Sequence, residues 1–350
     1  MDKYEVGVET KVAREHSGAP SLPAERGELS AAVMAFLRGC GKSLPSLLAI
    51  SGDPLEDEDL QLALYLSYEL HYRGFEGVDD RLEWDTRSIG FRKAAEQQFE
   101  DAIRASVDRA SVAPESVPEV LRSLVSGSPS ALARFLARDA SIEQFREFVV
   151  HRSAYHLKEA DPHTWVVPRL GGRAKAALVE IQADEYGGGD EHRMHSSLFA
   201  GTMRALALDP TYGRYLDVIP GSTLATVNLM SLFGLNRRLR GAAVGHLAAF
   251  ELGSSIPNRA YGRGLRRLGY EGSALVFYDE HVEADSVHDM IATYDLAGVL
   301  AREEPALAHD IMFGARALDL VESRFAGHLL TSWEAEMTSL RPNAQVLAST

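Results

Sequence analysis

Apolar residues recur at three- and four-residue steps along most of the chain, which is the period of α-helices. In the stretch LQLALYLSYELHYRGF they fall at Leu62, Tyr65, Leu66, Leu70 and Phe75. A second run over 91–110 is rich in Glu, Gln, Ala and Arg, residue types that favour helices. The pattern therefore predicts a helical segment from Glu28 to about Ser126.

Helical patterns continue through the rest of the chain. The stretch SIEQFREFVVHRSAYHLKEA predicts a long amphipathic helix, and glycine and proline clusters separate the runs after it. From Lys175 onward the predicted helices span 175–186, 191–208, 221–234, 237–252, 257–268, 275–301, 304–313 and 315–339. Because alternating strand patterns are hard to find, the predicted class is all-α, with a helical N-terminal segment preceding a larger helical bundle. Polar residues 1–25 are predicted to form a flexible tail.

Composition narrows the classes of function. The 350 residues are 45% hydrophobic and carry a net charge of −14. No Lys/Arg block interleaves with aromatic residues, so we expect no nucleic-acid partner. No apolar run approaches 18 residues and no apolar leader stretch is present, so we expect a cytoplasmic protein without a membrane partner. Cys40 is the only cysteine, so a metal would have to be bound by histidine and carboxylate.

Two histidines and an aspartate in FYDEHVEADSVH have the spacing of metal ligands on a helix. His281, Asp285 and His288 stand at positions i, i+4 and i+7, which places them within roughly 60° of one helix face. Imidazole and carboxylate together suit a transition metal such as iron. The other interpretation is a solvated polar stripe, but an exposed helix has no need to align these three side chains.

Further candidate ligands lie upstream. Glu251 stands in the otherwise apolar stretch GHLAAFELGSS, where a lone carboxylate needs a partner. Glu185 and His195 are ten residues apart, about 80° on an unbroken helix. If Gly187–Gly189 loop out three residues, the remaining seven-residue step returns both side chains to one face. Helix bundles build two-metal sites from such Glu and His residues.

These residues, in this order, resemble the haem-oxygenase-like di-iron oxidases and oxygenases, a family of iron-containing redox enzymes. The resemblance extends in particular to bacterial N-oxygenases such as the N-oxygenating central domain of the streptozotocin pathway. The motifs EIQADEYGGG, YGRYLDVIP and DEHVEADSVH look like those of such enzymes, over roughly 50–340. The resemblance implies a haem-oxygenase-like di-iron domain at 128–345 and a helical N-terminal dimerisation segment at 26–127. It implies as iron ligands Glu185, His195, Glu251, His281, Asp285 and His288.

One more carboxylate follows from the resemblance. N-oxygenating members carry an additional ligand upstream, and Glu159 in AYHLKEADPHTW stands 26 residues before Glu185, where that ligand would be. It is therefore also a candidate catalytic residue. The alternative for Glu159 is a surface carboxylate paired with Lys158 or Arg152.

The resemblance implies a non-haem di-iron monooxygenase that N-oxygenates a small amine, guanidine or aminoheterocycle in specialised metabolism. We expect two Fe²⁺ per chain, the second held loosely, with O₂ as co-substrate and a peroxo-di-iron(III) intermediate. An external electron donor is needed, because no flavin, nicotinamide or iron–sulfur motif is present. A homodimer is expected, since the apolar faces of the N-terminal helices need a partner. Two alternatives stay open: oxidative C–C cleavage or desaturation of an amino or fatty acid, and a non-catalytic interaction protein with a structural metal.

Overall fold

The computed structural model describes residues 18–41, 43–45, 52–125 and 128–342, without the side chains of residues 284–287. Within these ranges the chain is helical and contains no strand, which confirms the all-α prediction. The α-helices are α1 (Glu28–Leu37), α2 (Glu58–Glu69), α3 (Thr86–Ser106), α4 (Val117–Leu124), α5 (Ala131–Arg138), α6 (Ile142–His156), α7 (Asp161–Thr164), α8 (Gly172–Glu185), α9 (His195–Ala205), α10 (Gly221–Leu235), α11 (Arg240–Arg267), α12 (Val276–Met290), α13 (Gly298–Glu303) and α14 (Ala308–Glu334). No helix among the described residues is both long and apolar enough to cross a membrane.

Helices α2 and α10 pack against each other and are buried on all sides. Every residue of α2 from Leu60 to Glu69 is buried, as is every residue of α10 from Gly221 to Gly234. The side-chain amide of Asn228 donates to the backbone and side-chain oxygens of Gln61, both at 2.8 Å. The apolar surface of α2 is thus covered within one chain. Because α2 needs no partner chain to bury this surface, the surface does not support the predicted homodimer.

The same contacts join the two predicted domains. The described residues of the predicted domains 26–127 and 128–345 share a core through α2 and α10. The division into two domains stays a prediction. Ala24, assigned to the predicted tail, donates its backbone N–H to the carboxylate of Asp217 at 2.6 Å. Tail residues 1–17 lie outside the described ranges.

Two predicted helix breaks were wrong, because α11 and α14 are continuous. Pro257 lies inside α11 rather than at the start of a new helix. Gly314 lies inside α14, where its missing side chain permits close helix packing. A Cβ atom at Gly314 would overlap the backbone of Ala242, and one at Gly245 would overlap the backbone of Ile311. At these positions glycine allows two helices to pack closely and does not end a helix.

Helix α12 runs directly into a π-helical segment, Ile291–Ala297, and then into α13. The π segment packs against α8 and α11. Such segments are rare and occur frequently at functional sites. The π segment begins three residues after His288 and thus connects α12, which carries His281 and His288, to the core.

Candidate metal centre

The candidate ligands come from four helices and one connecting segment. Glu185 is the last residue of α8, and His195 is the first residue of α9. Between them Gly187–Gly189 all have positive φ, at 64°, 63° and 88°, a conformation that favours glycine. The predicted break between two helices at Gly187–Gly189 is confirmed, but the connection is longer than the suggested three-residue loop: nine residues separate α8 from α9 and bring Glu185 and His195 together.

Glu159, Glu185, His195 and His281 form a first buried group. Each offers a ligand atom, and these atoms lie within 4.8 Å of one another. Their exposed fractions range from 1% to 5%. Glu159 lies in the connection between α6 and α7, with Oε1 3.8 Å from Nε2 of His281. Four histidine and carboxylate donors at this spacing can hold one cation.

Glu185, Glu251 and His288 form a second buried group with the same 4.8 Å limit. Oε2 of Glu251 lies 3.6 Å, and Oε1 of Glu185 3.9 Å, from Nδ1 of His288. Glu185 belongs to both groups, as a carboxylate that bridges two metal ions would. The side chain of Asp285, the remaining predicted ligand, lies outside the described residues.

Three buried atoms that could bind a metal ion have no hydrogen-bond partner among the described residues. They are Oε2 of Glu185, Nδ1 of His195 and Nδ1 of His288. Nδ1 of His195 lies 2.8 Å from Oε2 of Glu185, but the two atoms are not aligned for a hydrogen bond. Nδ1 of His288 also lacks a hydrogen-bond partner among the described residues. Buried polar atoms normally have partners, and a metal ion would satisfy all three. A void of about 10 Å³ has the room of about one water-sized sphere. The candidate ligands that line it are Glu159, Glu185, Glu251 and His281.

Neighbouring groups orient the ligands. Nδ1 of His281 donates to the carbonyl of Phe277 at 2.8 Å, so that in the neutral imidazole the lone pair is on Nε2, which faces Glu159. Nε2 of His288 lies 3.2 Å from a carboxylate oxygen of Asp184, on the side away from Glu251. Such carboxylate–histidine pairs fix the tautomer of metal-binding histidines.

The charges of the centre favour cations. Burial lowers the pKa of His288, but the carboxylates of Glu251, Glu185 and Asp184 outweigh it and raise that pKa to about 9. The pKa of His195 is also raised, because the effect of Glu185 exceeds that of burial. Burial raises the pKa of Glu251, and repulsion from Glu185 adds to the shift. Without a metal, protons on the imidazoles offset the carboxylate charge.

Glu159 is not a surface carboxylate, so the alternative interpretation of it was wrong. It is 2% exposed. Its suggested partners are engaged elsewhere, Arg152 with Glu322 and Lys158 with Glu69.

Sequence reasoning missed His156. Its Nδ1 donates to Oε2 of Glu159 at 3.0 Å, so that Oε1 is left to face His281. The only sequence indication was the i, i+3 spacing of these two residues. Three other acidic or histidine side chains of the same stretches lie apart from the ligand groups: Glu180 and His192 are exposed, and His246 is buried beside His163.

Residues 146–322, about half of the chain, match the family described as iron-containing redox enzymes. The chain is also similar to nitrosourea synthase of Streptomyces achromogenes subsp. streptozoticus, with 28% identity over 149 residues. The aligned region covers 42% of this chain and 31% of that relative. The chain thus spans about a third of the length of this curated protein.

Proposed function

The chain belongs to the family of iron-containing redox enzymes, and from this premise we propose that it is a non-haem di-iron, O₂-dependent N-oxygenase. The proposed substrate is a small amine, guanidine or aminoheterocycle of specialised metabolism. The observation that carries the proposal is the pair of buried histidine–carboxylate groups that share Glu185.

Each group would hold one Fe²⁺. Glu159, His195 and His281 would bind the first iron, Glu251 and His288 the second, and Glu185 both. Asp285 is proposed as a further ligand of the second iron on its sequence position alone. When bound, the irons would supply the redox chemistry that activates O₂. Phe277 and Asp184 orient His281 and His288, and the side chains of the two groups are buried.

Glu159 supports oxygenation of nitrogen over oxidation of carbon. The resemblance to N-oxygenases implies an additional upstream carboxylate. Glu159 is a buried carboxylate of the first group, held by the N–H of His156. The similarity to nitrosourea synthase points to the same class of reaction. An external electron donor completes the proposed reaction, and the homodimer and the cytoplasmic location also stay proposals.

The test supplies the purified protein with Fe(II), a chemical reductant and ¹⁸O₂, and screens a panel of amines, guanidines and aminoheterocycles by mass spectrometry. The proposal expects ¹⁸O on nitrogen in at least one product, and none with the His288→Ala variant. Products of C–C cleavage or desaturation of amino or fatty acids, without labelled nitrogen, would favour the alternative reaction. Absence of iron binding would reject both.

A further inference from the structure

A cavity of about 550 Å³ lies beside the metal centre. His281, a member of the first ligand group, lines it together with His156, Phe199 and Phe250. A molecule in this cavity would therefore reach the centre on the side of Glu159 and His281. Cavities of roughly 300–1,000 Å³ are the size that binds drug-sized ligands.

The walls are mainly apolar. Small residues of α11 create the room, because Ala249, Gly253 and Ser254 line one wall. Aromatic rings of Phe148 and Tyr261 line another, 4.8 Å apart between centroids. Such walls bind alkyl and aromatic groups through burial of apolar surface.

The charged residues that line the cavity are paired with each other or exposed to solvent, so they do not require a charged group on a ligand in the middle of the cavity. Arg152 and Glu322 form a two-pronged ion pair, at 2.8 and 2.6 Å, and so neutralise each other. The guanidinium of Arg152 also lies over the ring of Phe325, 4.3 Å from its centroid. The other charged lining residues, Arg134 and Asp319, are exposed. The polar groups at the inner end include His156, His281 and Ser254, which also lines the void among the candidate ligands.

We propose, resting on the proposed function, that among the small amines and aminoheterocycles named there the substrate is one whose nitrogen is joined to an apolar body, preferably an aromatic one. The body fills the cavity between α11 and α14, and the nitrogen lies at the inner end beside His156 and His281. A compact amine or guanidine would leave most of the 550 Å³ unfilled and would gain little from its apolar walls.

The test compares 4-phenylbutylamine with butylamine as probes. Isothermal titration calorimetry is run on the Fe(II)-loaded protein under argon and again on the metal-free protein. Because burial of a phenyl ring adds apolar contact, 4-phenylbutylamine should bind at least about tenfold more tightly than butylamine in both forms. The metal-free titration separates this inference from the proposed function, since it does not depend on iron. Equal affinities for the two probes would overturn the inference.

A matched pair of variants locates the binding site. A Cβ atom at Gly253 meets no atom within 4 Å, so Gly253→Leu extends a side chain into the cavity without a backbone clash. Gly327 is likewise helical and open but is exposed and does not line the cavity. Gly253→Leu should weaken 4-phenylbutylamine binding about tenfold, whereas Gly327→Leu should leave it unchanged.

A second variant changes a residue of α14 that lines the cavity, Ala326. Ala326→Leu also narrows the cavity, and it provides the same test if Gly253→Leu does not fold. It should weaken 4-phenylbutylamine more than butylamine. Unchanged binding of 4-phenylbutylamine in a folded Gly253→Leu or Ala326→Leu protein would place the probe elsewhere and reject the inference.

Discussion

Nζ of Lys158 lies 3.0 Å from Oε2 of Glu69, and both side chains are buried, with exposed fractions of 2% and 0%. Tyr212 donates its hydroxyl to the same carboxylate at 2.8 Å. Lys158 directly precedes Glu159 in the connection between α6 and α7. Arg73 donates to the carbonyl of Leu157 in that connection, at 3.3 Å. The N-terminal helix α2 therefore helps to fix the position of Glu159.

The first prediction concerns this ion pair. Lys158→Met leaves the carboxylate of Glu69 buried without its cation, so it should reduce the free energy of unfolding by about 3–5 kcal/mol. The double variant Lys158→Met/Glu69→Leu should recover most of that loss, because both charges are gone. Urea denaturation followed by circular dichroism measures the effect.

The control for this prediction is the exposed pair of Arg81 and Asp79. Arg81→Met should not change the free energy of unfolding measurably, since solvent screens exposed charges. If Lys158→Met reduced the free energy of unfolding as little as Arg81→Met, the buried pair would not stabilise the connection that carries Glu159.

The sequence predicted those parts of the centre that depend on local spacing. The positions of His281 and His288, seven apart on one helix, follow from helical periodicity alone. The burial of Glu251 follows from its apolar neighbours. The all-α class follows from three- and four-residue steps, and the family match confirms the predicted family.

Contacts between distant segments could not be predicted in this way. Nothing near Lys158 in the sequence specifies Glu69, which lies 89 residues earlier. Gly314 was read as a helix break because local propensity cannot separate a glycine that ends a helix from one that admits a neighbouring helix. The same limit applies to Gly187–Gly189, where the residue type permitted a turn but did not give its path.

The second prediction concerns the shared ligand. Glu185→Ala removes a ligand from both groups, whereas His288→Ala removes one from the second group only. Iron content after anaerobic loading should fall from about two per chain to about one in His288→Ala, and lower in Glu185→Ala. Anaerobic titration with Fe(II), with the unbound iron measured after ultrafiltration, gives these values without removing a loosely held second iron.

The control for this prediction is Glu180→Ala, on the exposed face of the same helix α8, which should keep the wild-type iron content. Helix content should stay near that of the wild type in all three variants. Equal iron content in Glu185→Ala and His288→Ala would argue against a bridging carboxylate.

The third prediction separates the role of Glu159 from metal binding. Glu159→Ala leaves the second group complete and the first with three of its four members, so much of the iron should still bind. Without the additional carboxylate, the yield of N-oxygenated product per O₂ consumed should fall about tenfold or more. An oxygen electrode and mass spectrometry measure the two quantities. Unchanged yield would favour oxidation at carbon, and a complete loss of iron would make Glu159 a structural ligand instead.

The fourth prediction follows from the pKa of His288, raised to about 9 in the metal-free protein. Below that pH the imidazole is protonated, and Nδ1 must lose a proton before it can bind a cation. Affinity for Co(II), an air-stable substitute for Fe(II), should therefore rise with pH by about tenfold per unit and level off above pH 9. Asp184→Asn removes one of the carboxylates that raise this pKa, so its affinity should level off at a lower pH. Competition titrations between pH 6.5 and 9.5 test both curves, and a wild-type affinity that does not change between pH 7 and 9 would remove His288 from the metal site.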